Sequence, residues 1–279
     1  MTNDPDISPK HASIGYFQAQ SKFFREAWQY RILAISVFRH NYIFLHKDTL
    51  LGIVWIFVNP CIPIFIYIIL QYMNIFSSNY NGIPRAVFLT LGLILYYSFS
   101  ESLNGFTSFL SHNKTFLKSG GSNKTAVICA TFLIPLSNFS IRFVLFVSVV
   151  LLNKMTIGPE MLMLPVGFLF LTILGSSIGL VLSVFNLITR DIANFVSMIG
   201  FYLLFASGVF ALIEPTSTFL TILAHSPIYM IIDGVRQFVF FDQYPNGLSV
   251  LFGTVPPLVL FSFSILAFYR VEYRINSFL

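Results

Sequence analysis

Six long runs of almost uninterrupted apolar residues, 51–75, 86–110, 125–152, 161–189, 192–213 and 248–268, set the limits on what this chain can fold into. A helix of about 20 apolar residues crosses the hydrocarbon of a bilayer, because its backbone amides are satisfied within the segment itself. Each run is long enough, and Glu101 and Arg142 are the ionisable residues that fall inside them. The expected fold is therefore an all-α integral membrane protein with six transmembrane helices. Apolar residues make up 56% of the 279 positions and charged ones 10%, a balance that excludes an ordinary soluble globule.

Lys and Arg fix the expected sidedness. With the N-terminus inside, twelve basic residues fall on the cytoplasmic side and three, Arg85, Lys154 and Arg236, outside. Both termini are then cytoplasmic. The polar segment 1–50 has no early apolar core with a small-residue cleavage site, so no removable signal peptide is expected. The chain divides into a cytoplasmic N-terminal segment, 1–50, and a six-span transmembrane domain, 51–279. The net charge of +5 does not mark a nucleic-acid binder, since the basic residues sit between apolar runs rather than on one continuous face.

Two further elements are expected. Phe17, Phe24, Trp28 and Ile32 recur at helical spacing, with Gln18, Lys22, Arg25 and Gln29 on other faces, which reads as an amphipathic helix lying at the membrane interface. The connection 214–247 is too long for a turn and too apolar for a free loop. It reads as two short helices dipping into the membrane and broken at Ser226-Pro227.

Motifs of chemistry are few. The segment 119–125 fails as a phosphate loop, because the glycines of G-x-x-x-x-G-K-[ST] are replaced by Lys118 and Asn123. No nucleotide site is expected here, and the basic loop 111–124 becomes a candidate docking surface. Cys61 and Cys129 lie inside apolar runs, and the five histidines are scattered, so neither a metal site nor a catalytic constellation is indicated. Glu101 and Arg142 are read either as a pair or as groups that each face water in an assembled complex, with packing or helix-to-helix hydrogen bonding as the favoured role. Gly175 and Gly179 with the serines between them form a small-residue pattern that permits close helix contact. Prolines at 60 and 63, and at 256 and 257, are expected to kink the first and last spans.

The sequence Leu51-Gly52-Ile53-Val54-Trp55, followed by Pro60, resembles the L-G-x-x-W-x-x-x-x-P signature that opens the first span of ABC-type polysaccharide export permeases, which serve O-antigen, group 2 capsule and teichoic acid. Thr189-Arg190-Asp191, Ser226-Pro227-Ile228-Tyr229 with Arg236 downstream, and Phe268-Tyr269-Arg270 are similar to later segments of the same family. The chain departs from it at Leu45-His46-Lys47-Asp48-Thr49, where the family commonly has Arg-Tyr-x-x-Ser.

The resemblance implies a homodimer of permeases in the inner membrane, bound to two copies of an ATP-binding subunit and exporting a lipid-linked glycan. This chain would hold no cofactor, and ATP and Mg would be bound by the partner. Arg25, Trp28, Lys114, Phe116, Leu117 and Lys118 would form the coupling surface. Tyr67, Phe201, Tyr202 and Phe205 would line the conduit, and Pro227, Tyr229 and Arg236 would belong to an outer gate. Two other readings remain open: an ABC exporter of small hydrophobic drugs or lipids, and a membrane-embedded glycosyl or acyl transferase.

Overall fold

The computed structural model describes residues 15–47, 79–80, 82–118, 123–156, 158–189, 191–213 and 216–278, with positions 52–55, 58, 61–62, 65, 69 and 73. Most of the expected first span lies outside the described residues, as do Leu51, Pro60, Tyr67 and Arg190. Gly52 opens a 3-10 turn, Gly52–Val54, with φ +52, a conformation that glycine adopts without steric cost.

The described chain is helical apart from a hairpin of β1 (Asn79–Tyr80) and β2 (Ile83–Pro84). Helices α1 (Tyr16–Gln29) and α2 (Arg31–Lys47) precede the hairpin. After it come α3 (Arg85–His112), the short α4 (Lys114–Lys118), α5 (Lys124–Leu152), α6 (Met163–Ile188) and α7 (Asp191–Ala206). The chain closes with α8 (Thr218–Ala224), α9 (Pro227–Phe241) and α10 (Gly247–Phe278). Helices α3, α5, α6 with its leading turn Pro159–Leu162, and α10 are each long and apolar enough to cross a membrane. Helix α7 is apolar but shorter, and α8 and α9 meet at a bend of 66°. The break falls where the sequence places it: Ser226 caps α9 by accepting from Tyr229 N–H at 3.3 Å, and Pro227 takes the first turn, where its missing N–H costs nothing.

Helix α3 forms the centre of the bundle, packed against α5, α6, α7 and α9. Its closest neighbour is α6, and the small-residue pattern explains the approach. A Cβ on Gly175 would collide with Phe99 O, and one on Gly179 would stand 2.6 Å from Leu103 O. The small-residue pattern therefore serves contact within one chain. On the facing helix, Ser98, Ser102 and Thr107 are buried and return their hydroxyl hydrogens to carbonyls one turn back, at 2.7 to 2.9 Å. Such back-bonding satisfies small polar groups where water is absent.

The core divides in two along the bundle. One cluster joins Phe88, Leu91, Phe99, Phe139 and Phe168, the last two stacked at 4.2 Å. The second, at the other end, joins Phe106, Phe109 and Leu180 to Phe268 and Tyr269, with Ala19 and Phe23 of α1 docked on it.

One boundary departs from the sequence reading. The fifth apolar run was expected to be helical to Ile213, whereas α7 stops at Ala206. Gly208 then takes φ +72, and the place of a Cβ there is filled by the Tyr229 ring. The last prolines, Pro256 and Pro257, lie inside the continuous α10.

Candidate functional site

The end of α7 is held by two arginines. Arg236, on α9 and only 1% exposed, donates through Nη1 to Gly208 O at 2.6 Å and through Nη2 to Val209 O at 2.7 Å and Phe88 O at 3.2 Å. Its guanidinium lies 3.7 Å from the centre of the Phe88 ring. Arg85 donates through Nη2 to the next carbonyl, Phe210 O, at 3.3 Å. Three successive carbonyls beyond a helix C-terminus thus receive cationic donors, which satisfies groups that lack helical partners and complements the negative end of the helix dipole. Gly92 on α3 leaves room for this, since a Cβ there would strike the Arg236 guanidinium. Tyr229 completes the knot by accepting from Ile213 N–H at 3.3 Å. Of the three residues read as an outer gate, Pro227 starts α9, while Tyr229 and Arg236 are buried fasteners of the α7–α9 turn.

Helix α7 itself carries an outward aromatic face. Phe201, Tyr202 and Phe205 are each 60% or more exposed, with Phe201 edge-on to both neighbours at 5.7 and 5.6 Å. Phe205 stacks on Phe210 at 5.2 Å, so the face continues into the clamped turn. Its inner side, Val196, Gly200 and Leu204, packs towards α3. Tyr96 of α3 donates to Gly200 O, and Ser197 donates to Asn104 Oδ1 at 2.9 Å.

Glu101 and Arg142 do pair, joining α3 to α5 through a direct carboxylate–guanidinium contact. Asn138 Nδ2 donates to the second carboxylate oxygen at 3.2 Å, and Arg142 lies 5.0 Å from the Tyr97 ring centre. The network reaches α2, where the Tyr42 hydroxyl donates to Asn138 Oδ1 at 3.2 Å. Burial pushes the Tyr42 phenol above its ordinary range, so the hydroxyl keeps the hydrogen that this bond needs.

The residues read as a coupling surface gather at one end. Helix α1 docks on α5 and α10 through Phe23, through Gln20 Nε2 donating to Ser262 O at 2.8 Å, and through Glu26. The Glu26 carboxylate accepts from the hydroxyls of Thr125 and Tyr269 at 2.5 and 2.9 Å. Lys22 lies 3.9 Å from it and 4.6 Å from the Tyr269 ring centre. This leaves Arg25, Phe17, Phe24 and Trp28 facing outward, Trp28 at 73% exposure. On α4, Lys114 and Phe116 are half-buried and Leu117 is buried in the same core that receives Phe23. The backbone of α4 ends at Lys118.

Sequence reasoning missed Arg85, Gly208, Tyr42 and Glu26. Only Gly208, following a serine inside an apolar run, left a signal for the turn. Gly52 and Trp55 of the Leu-Gly motif fall among the described residues, Trp55 exposed.

No family model matches the chain. A search of known proteins finds the O-antigen export system permease protein RfbA of Myxococcus xanthus, 24% identical over 230 residues, which cover 80% of this chain and 86% of that protein. The family resemblance drawn from Leu51-Gly52 onward holds: this multi-pass membrane chain is related to the polysaccharide export permeases.

Proposed function

We propose that this chain is the membrane subunit of an ABC exporter that moves a lipid-linked polysaccharide, of O-antigen or capsule type, across the inner membrane, driven by ATP hydrolysis in a separate subunit. The observation that carries the reading is the likeness to an O-antigen export permease along four-fifths of the chain. The bundle agrees with it: four long apolar helices and one shorter one leave room for a sixth span in 51–75, and α1 offers a docked amphipathic helix. In this reading both termini are cytoplasmic, α8 and α9 are re-entrant, and a permease homodimer engages two ATP-binding subunits through α1 and α4. ATP and Mg belong to that partner. The chain transports rather than catalyses, and sugar rings pass the aromatic face of α7, since such rings stack on sugars with little sequence demand.

Coexpression with the candidate ATPase and extraction in detergent tests the proposal. The expected result is co-purification of the ATPase in equal copy number, with surface glycan lost when this chain is deleted. An ATPase that never co-purifies ends the reading, and unchanged glycan with raised drug sensitivity redirects it to small hydrophobic cargo.

A further inference from the structure

A cavity of about 400 Å³ opens between α2 and the junction of α3 with α4, at the end of the bundle that carries α1. Its walls include the apolar side chains of Leu33, Val37 and Phe116, and its polar groups are Ser36, His40 and Asn41 of α2, His112 at the end of α3, Asn113, and Thr115 of α4. The back is braced: Asn41 Nδ2 donates to Asn113 Oδ1 at 3.0 Å, and Asn113 Nδ2 donates to Phe109 O at 2.8 Å. No carboxylate stands among the described residues that line it. The charged neighbours in sequence are Arg39 beside His40 and Lys114 between His112 and Thr115, all cationic.

This combination selects a ligand class. Imidazole, amide and hydroxyl donors, with the cationic Arg39 and Lys114 next to them in the chain, favour an anion. Apolar walls beneath those donors favour an anion that carries an apolar chain. The cavity lies at the end of the bundle where α1 turns Phe17, Phe24 and Trp28 outward, aromatic side chains of the kind that favour a membrane interface. We infer that this cavity binds the phosphate group of an anionic membrane lipid, held by His40, His112 and Thr115 with the upper acyl chain against Leu33 and Val37. The lipid wedges α2 against the α3–α4 junction, so the surface expected to receive a partner is completed by lipid. The inference rests on the cavity alone and stands whether or not the chain exports glycan.

Histidine footprinting of the full chain in lipid nanodiscs tests it without any mutation. Diethylpyrocarbonate is applied in discs of phosphatidylcholine alone and in discs containing phosphatidylglycerol, and modification is read by mass spectrometry. The exposed His225, outside the cavity, serves as internal reference. The expected result is several-fold slower modification of His40 and His112 with phosphatidylglycerol, and no change at His225. Equal protection by inorganic phosphate in phosphatidylcholine discs would assign the site to free phosphate and overturn the lipid source. Protection that arises only when an ATPase subunit is added would make the cavity a subunit contact and overturn the inference, as would no protection at all. As a second measurement, native mass spectrometry of the His40→Gln/His112→Gln variant should show loss of the most tightly retained phosphatidylglycerol adduct; unchanged retention would also overturn it.

Discussion

Arg236 sends hydrogen bonds from one buried guanidinium to carbonyls of two different segments, so its geometry matters as much as its charge. A lysine keeps the charge but lacks the planar fork that reaches Gly208, Val209 and Phe88 together. Hydrogen bonds from charged donors contribute about 1.5–3 kcal/mol each, and at least one is lost in Arg236→Lys, so a cost of roughly 2–3 kcal/mol is expected. A thermal-shift assay on the detergent-extracted protein measures it. Gly92→Ala should produce a similar loss, because its methyl group displaces the same guanidinium. The two changes combined should cost less than their sum. Glu101 and Arg142 allow a sharper test. Glu101→Gln strands a buried guanidinium and should cost about 3–5 kcal/mol, whereas replacing both partners with residues of similar size, Glu101→Gln with Arg142→Met, should recover most of that loss. A double variant no better than the single one would show that the pair does more than satisfy its own charges.

At the scale of elements, close approach of α3 and α6 depends on absent side chains. Gly179→Val places branched carbons where the Leu103 carbonyl and Phe106 Cβ already lie at 2.6 and 2.7 Å from a single added carbon. Overpacking of this kind costs several kcal/mol when the obstacle is backbone, and the variant should fail to accumulate as a monodisperse species by size-exclusion chromatography. Gly247→Ala, with nothing within 4 Å of the added carbon, should be indistinguishable from the parent. The sequence made these elements legible where periodicity and length are strong: the apolar runs of α3, α5, α6 and α10, the stripe on α1, and the Ser226-Pro227 break. It said little about the end of α7. There Ser207-Gly208 is a slight local hint in an apolar pattern that resumes through Leu212 and Ile213, and the stop is made by Arg85 and Arg236, which reach it from α3 and α9 across long stretches of sequence. A tertiary cap has no local signature.

Across the whole molecule, the described structure separates a fastened region from an unfastened one. Arg236, Glu101 and Glu26 each tie helices together and Tyr229 ties α9 to the turn after α7, while the outward side of α7 and the outward side of α1 touch little. The sequence named the aromatic residues of both surfaces, yet it could not say which rings pack inward, because in a chain with 33 phenylalanines apolarity marks core, lipid face and conduit alike. Exposure resolves part of this, since Phe201, Tyr202 and Phe205 are among the least constrained aromatic residues of the bundle. Exposed side chains away from such ties usually alter stability by no more than about 0.5 kcal/mol when truncated. The triple variant Phe201→Ala/Tyr202→Ala/Phe205→Ala should therefore insert, fold and retain a bound ATPase like the parent. If the face guides sugar rings, glycan delivered per ATP hydrolysed should fall several-fold in reconstituted vesicles. Charge reversal at Lys114 and Lys118 should do the opposite, weakening retention of the ATPase while leaving membrane insertion intact. Unaltered delivery in the aromatic variant would assign that face to lipid or to a second copy of the chain, and the conduit would then have to lie on another surface.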